Sequence, residues 1–264
     1  MPQRGTGPAV TDAPVAVPPP LADSLAWAGD GQAHLRGLMT RMGDEAFGAP
    51  SLLAGWSRAH VLTHVARNAD AMINLLHWAS TGEETRAYRD PRARDADIAA
   101  GAARSPEEIR ADVVATSDRL ADAVRAMPEK AWSARVRNAQ DVEIPATAVP
   151  WARAREVWVH AVDLDVGASF KDLPIPMRKV LVADVAGTLE QRPGCPHVRL
   201  EESRTGQVRE FGPGPATADG AEPGDLGTIR GRAPDLIAWL LGRPFGKGLR
   251  DADGNRPAPL PVWL

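Results

Sequence analysis

From Leu21 onward, apolar residues recur at helical intervals. Leu21, Leu25, Ala28, Leu35, Leu38, Met39 and Met42 mark a first predicted helix, which Gly29 and Gly31 weaken in its middle. Pro50-Ser51 and Gly55-Trp56 then break the chain. Ser57 is a suitable N-cap for a second helix running to about Thr81. Val61, Leu62, Val65, Ala69, Met72, Ile73, Leu75 and Leu76 leave that helix little polar face, which predicts burial among other helices. Residues 82–104 are polar and interrupted by Gly and Pro, and fit a loop with one short helix. Ser105-Pro106-Glu107-Glu108 combines a cap, a proline at the first helical position and acids in the first turn. A third long helix follows, through Ile109, Val113, Leu120 and Val124 to Met127, where Pro128 stops it. A fourth begins near Val149, carries Trp151, Val157, Trp158, Val159, Val162 and Leu164, and ends near Gly167.

After Lys171-Asp172-Leu173-Pro174 the texture changes. One more helix, from Met177 to about Gln191, precedes short runs with strand character at His197–Glu202, Gln207–Phe211 and Leu226–Arg230. A last helix from Pro234 to Leu241 ends at Gly242-Arg243-Pro244. The prediction is an α+β protein overall. Residues 21–172 form a four-helix bundle with one long crossing loop, and residues 173–264 a smaller α+β domain. Residues 1–20, rich in Pro, Gly and small side chains without periodicity, read as a disordered tail.

Composition narrows the function classes. With 44% apolar and 25% charged residues the chain has an ordinary globular make-up. The net charge of -3 and the lack of a basic block argue against nucleic-acid or anionic-membrane partners. The single cysteine, Cys195, excludes an internal disulfide and a Cys-rich zinc module. No apolar run approaches the roughly 20 residues of a membrane span, and the start lacks the features of a signal peptide. A cytoplasmic protein is expected, and a monomer is compatible with the pattern. Arginine dominates the basic residues, and together with abundant Ala, Gly and Pro it fits translation from a GC-rich genome.

Two residue pairs carry candidate chemistry. His60 and His64 lie four apart on the second helix, and Glu156 and His160 four apart on the fourth. Residues at that spacing share a helix face, so each pair can aim two ligand atoms at one point. Glu156 stands among Val157, Trp158 and Val159, where an ionised carboxylate is costly without a balancing cation. Inward pairs from different helices are how bundle metal sites are assembled. Such a thiolate-free set suits Zn²⁺, with Fe, Ni and Mn open to the same ligands. The competing reading pairs Glu156 with Arg153 or Arg155. Four candidates also exceed the three protein ligands of a catalytic zinc site, and spacing does not say which one is left out.

The stretch SLLAGWSRAHVLTHVARNADAMINLLHWASTGEET, residues 51–85, together with REVWVHAVDLD at 155–165, strongly resembles the mycothiol-dependent maleylpyruvate isomerases. The similarity runs from about residue 21 to the closing Pro261-Val262-Trp263-Leu264. Alone, GW-x₃-H-x₃-H marks only the wider DinB-like superfamily; with EVWVH it is specific. The resemblance implies a DinB-like four-helix bundle followed by a smaller α+β domain. It implies zinc held by His64, Glu156 and His160, with a fourth position open for water or a thiolate. His60 is then a neighbour of the site or, the favoured reading, a packed core histidine. It also implies a catalytic role for Arg243 of the Gly242-Arg243 pair, holding a substrate carboxylate or an enolate oxygen. Read without the family, Arg243 is a helix-end cation.

The activity so implied is isomerisation of maleylpyruvate to fumarylpyruvate in the gentisate route of aromatic breakdown. Rotation about a C=C bond needs that bond to become briefly single. Reversible addition of a zinc-activated thiolate achieves this, and mycothiol supplies the thiol, since the chain has no suitable cysteine. The expected partners are thus a small-molecule substrate and a small-molecule thiol. A mycothiol S-transferase, a non-catalytic zinc-binding regulator and a metal-free structural bundle are the alternatives. Asn68, one turn beyond His64, is a candidate contact for the cofactor thiol or a substrate carboxylate, with core polar packing as its competing role. Asp163 is a candidate orienter of His160, against a merely solvated helix-end role, and Cys195 is not expected to be a nucleophile.

Overall fold

The computed structural model describes residues 18–213, 224–244 and 246–261. Most of the predicted tail and the closing Val262–Leu264 therefore lie outside the described residues. The bundle consists of α1 (Leu21–Arg41), α2 (Arg58–Thr81), α4 (Pro106–Arg125) and α5 (Ala148–Asp163). Between α2 and α4 lies α3 (Pro91–Ala102). Next come α6 (Ile175–Glu190) and three strands, β3 (His197–Glu202), β4 (Val208–Phe211) and β5 (Asp225–Gly231), before α7 (Ala233–Leu240). A small antiparallel hairpin of β1 (Arg135–Arg137) and β2 (Glu143–Pro145) precedes α5.

Local chemistry accounts for the helix starts. Ser57 accepts from the His60 backbone N–H while His60 Nδ1 accepts from the Ser57 N–H at 3.3 Å, a reciprocal cap. Ser105 and Glu108 do the same for α4, with Pro106 at the first helical position. Gly82, at φ 80°, closes α2 in the left-handed region. The short helix expected within the loop at 82–104 is the twelve-residue α3, which starts where Asp90 Oδ1 accepts from the Ala93 N–H at 2.8 Å and Pro91 follows it. α5 stops at Asp163 rather than near Gly167, since Asp165 and Gly167 both take positive φ.

The glycines that weaken the first predicted helix do not break it. α1 is continuous, and a Cβ on Gly31 would stand 2.6 Å from Val157 and 2.7 Å from the Trp158 ring. The missing side chain at Gly31 lets α1 and α5 approach closely. The Trp158 indole donates to the Trp27 carbonyl at 2.9 Å in the same contact.

In the C-terminal part, β3 is central, antiparallel to β4 and parallel to β5. The expected boundary at 172/173 falls in the turn before α6, and Phe170 and Leu173 are buried there. One apolar core crosses that turn, from Leu35, Leu62 and Val157 through Leu164 to Met177, Leu181, Trp239 and Leu249. No helix among the described residues is long and apolar enough to cross a membrane.

Candidate metal centre

His64 projects from the second turn of α2, and Glu156 and His160 from adjacent turns of α5, into the bundle interior. His64 Nε2 lies 2.9 Å from Glu156 Oε2, and His160 Nε2 lies 3.2 Å from the same oxygen. The two imidazole rings are nearly perpendicular, with centroids 4.7 Å apart. One ligand atom from each residue falls within 4.8 Å of the others, and among the described residues this is the one such group. Two imidazole nitrogens and a carboxylate oxygen, all largely buried, are a donor set that fits Zn²⁺ with an open position.

His160 has a fixed orientation. Its Nδ1 lies 2.9 Å from Asp163 Oδ2, and Asp163 is fully buried. An imidazole that donates Nδ1–H to a carboxylate turns its Nε2 to the opposite side, here toward Glu156. Asp163 is therefore the orienting partner and not a solvated helix-end acid. Its second partner is Arg243, whose Nε and Nη2 donate to Oδ1 and Oδ2 at 2.7 and 3.0 Å. Arg243 Nη1 donates to the Leu241 carbonyl at 2.5 Å. The fork edge expected to meet a substrate carboxylate thus holds Asp163, tying α7 to the back of the metal centre. A cavity of about 190 Å³, lined in part by Trp239, Arg243, Arg256 and Leu260, opens beside it.

The electrostatics follow this wiring. Burial opposes charge on His160, yet its bonds to Asp163 and Glu156 raise it to about 9. Burial would raise Glu156, but its bonds to His160 and His64 hold it well below the usual carboxylate range. His64 is lowered, because burial and the neighbouring His160 outweigh its bond to Glu156.

Both arginines of the competing reading are engaged by acceptors other than Glu156. Arg153 is buried and donates to the Val65 carbonyl and Asn68 Oδ1, both at 2.8 Å, and to Gln32 Oε1 at 2.6 Å. Arg155 Nη1 donates to Asp184 at 2.7 Å. Asn68 is buried with its oxygen committed to Arg153, and its side chain also hydrogen-bonds Tyr88. His60 stands outside the metal group and serves the α2 cap; it is half-buried against Trp56, not a core histidine. Cys195 is buried, and burial pushes its thiol up, so it offers no thiolate.

Sequence reasoning missed Trp56, whose ring packs edge-on to His64 at 5.6 Å, and Arg94, whose Nη2 lies 3.3 Å from His64 Nδ1. The GW pair is read as a helix break and as the start of the GW-x₃-H-x₃-H motif, with no role of its own for Trp56, and Arg94 falls in the segment read as a loop with one short helix. Only the fold brings either to the ligands.

A buried two-histidine, one-carboxylate set inside a helical bundle, with a carboxylate behind one imidazole, marks a bundle protein with a group of side chains that could hold one divalent metal ion. The chain belongs to the mycothiol-dependent maleylpyruvate isomerase family. The family model for the mycothiol maleylpyruvate isomerase N-terminal domain matches residues 28–165. Beyond that domain, the chain is similar to the crystal structure of a mycothiol-dependent maleylpyruvate isomerase at 34% identity and a TM-score of 0.82. The similarity covers 93% of this chain and 98% of that one. A histidine-to-alanine mutant of a mycothiol-dependent maleylpyruvate isomerase is similar over the same shares, at 33% identity and a TM-score of 0.83. No curated protein matches the sequence.

Proposed function

We propose that this chain is a zinc-dependent, mycothiol-dependent isomerase that converts maleylpyruvate to fumarylpyruvate in the gentisate route, acting in the cytoplasm. His64, Glu156 and His160 hold the zinc. The observation that carries the reading is the convergence of their three ligand atoms within 4.8 Å, with Asp163 fixing His160 from behind. Residues 21–172 form the metal-binding bundle, and residues 173–264 supply Arg243.

Zinc and mycothiol together supply a thiolate at neutral pH, the nucleophile that lets the substrate's double bond rotate. The residues of the chain prepare for this. Glu156 balances the cation in the buried site. Asp163 keeps the His160 proton on Nδ1 and its Nε2 lone pair inward. Arg243 acts through Asp163 by clamping both carboxylate oxygens. Arg153 holds the Asn68 oxygen, and the Asn68 amide, one turn beyond His64, is the proposed contact for the thiol cofactor or a substrate oxygen. With Cys195 buried and protonated, the sulfur comes from outside the chain.

The test is an absorbance assay on maleylpyruvate with zinc-loaded protein, with and without mycothiol. Turnover to fumarylpyruvate that needs both thiol and zinc is the expected result. Thiol consumed in equal measure with formation of a stable adduct would mark an S-transferase instead. No thiol-dependent change at full zinc occupancy would overturn the reading.

A further inference from the structure

Three guanidinium groups surround the His–Glu set, and two of them are committed. Arg153 is buried among Val65, Asn68 and Gln32. Arg243 spends Nε and Nη2 on Asp163 and Nη1 on the Leu241 carbonyl. Arg94 differs. Its side chain, 30% exposed, projects from the first turn of α3 over the Tyr88 ring, with its guanidinium carbon 5.6 Å from the ring centroid. Nη1 meets Asp95 at 2.8 Å, a neighbour that is itself 70% exposed, and such surface pairs contribute little. Nη2 points inward, 3.3 Å from His64 Nδ1.

A guanidinium has only donors, so this contact requires Nδ1 to be the acceptor, with the ring proton on Nε2 facing Glu156. A metal ligated through Nε2 requires the opposite: a neutral imidazole with its proton on Nδ1. Two donors then face each other, and Nη2 loses its imidazole acceptor beside the metal ligands, while the guanidinium keeps its hydrogen bond to the Tyr88 side chain. The acceptor that matches a planar, cationic fork is a carboxylate. Stacking on Tyr88 keeps the fork at that place.

We infer that Arg94 is the group that binds a carboxylate of the substrate and so sets the enzyme's preference for an acidic substrate. The identity of that substrate rests on the isomerase reading above; the anion site itself does not. Arg94 is thereby a specificity-determining residue, and Arg243 a positioning residue behind the metal.

The experiment measures binding of maleate, a cis-dicarboxylate, to the zinc-loaded full chain by calorimetry without thiol, alongside zinc content and melting temperature. The parent is expected to bind maleate. Arg94→Ala should weaken that binding by about 10–100-fold, the range for losing a hydrogen bond to a charged group. Its zinc content and melting temperature should stay at the parent's values. Arg94→Lys should fall between the two, keeping the charge and losing the fork. In turnover, Arg94→Ala should raise KM for maleylpyruvate more than it lowers kcat. Equal maleate affinity in Arg94→Ala, no maleate binding to the parent, or loss of zinc from Arg94→Ala would each overturn the assignment. If maleate binding tracks Arg94 while the parent fails to isomerise maleylpyruvate, the isomerase reading falls and the anion site stands.

Discussion

Replacing Arg243 by alanine tests whether the C-terminal part is wired into the metal centre. The substitution removes both hydrogen bonds from the guanidinium to Asp163, a carboxylate with no exposed surface. Breaking a buried ion pair from one side typically costs about 3–5 kcal/mol, because the remaining charge stays buried. His160 still donates to Asp163 at 2.9 Å and shares that charge, and Arg243 is itself 15% exposed, so water can reach part of the gap. The lower end of the range therefore applies, about 3 kcal/mol. For a chain of this length, about 2–3 °C is lost per kcal/mol, which gives a melting temperature lower by about 6–9 °C. Zinc should also be held less tightly. Loss of a partner behind a metal-ligating histidine costs about 10–100-fold in affinity; Arg243→Ala, which spares the Asp163–His160 bond, should sit near the low end and Asp163→Asn near the high end. Thermal unfolding of the zinc-loaded chain and competition with a chromophoric chelator measure the two effects. In the double variant the losses should fall short of additivity, as expected for residues sharing one network. An Arg243→Ala chain that melts with the parent and holds zinc equally well would show that the clamp is idle and refute the reasoning.

His64→Ala or Glu156→Ala should strip the zinc, measured by metal analysis after gel filtration. His60→Ala should retain most of it, while losing about 1 kcal/mol of stability with the α2 cap. Gly31→Ala should destabilise by about 1–3 kcal/mol through overpacking against Val157 and Trp158. Gly29→Ala, where the added Cβ meets nothing within 4 Å, should stabilise slightly; chemical denaturation distinguishes the two. Glu202 accepts from the backbone N–H groups of Arg204, Thr205 and Ala233, and burial fails to offset the lowering of its pKa below 4.5 by these bonds and that of the Thr205 side chain. Its contribution is therefore complete above pH 4.5 and is lost as the pH falls through the lower folded value. The gap in melting temperature between the parent and Glu202→Gln should close on acidification.

What could be read from the chain was what nearest neighbours decide. Ser57 and Ser105 announce their helices through cap chemistry that spans three residues, and both helices begin where expected. The i,i+4 spacing of Glu156 and His160 places two ligands on one face without knowledge of the fold. The choice of His64 over His60 came from the family motif, and its physical reason appears only in the structure: His60 is used by the cap. The short helix expected within 82–104 is present as α3, but its bounds were not legible, because it is a mostly exposed helix with hardly an apolar stripe, burying only Ile98 and Gly101. The three-residue strands β1 and β2 are too short to show an alternation. Asp163 with Arg243, 80 positions apart, and Arg94 with His64, 30 apart, meet only through tertiary packing.

The apolar core that passes through the 172/173 turn has a consequence for modularity. The segment matched by the family model, residues 28–165, contains every proposed zinc ligand, so it looks like a cassette that could be excised or grafted. Yet within that segment Leu164 belongs to the same buried cluster as Met177, Leu181 and Trp239, all of which lie beyond it. A bundle cut there would uncover apolar surface, and it would release Asp163 from its guanidinium partner in the same stroke. Metal binding and chain integrity are thereby inherited together. A recombined protein keeps the centre only if both halves come from sequences that have adapted to each other across that seam.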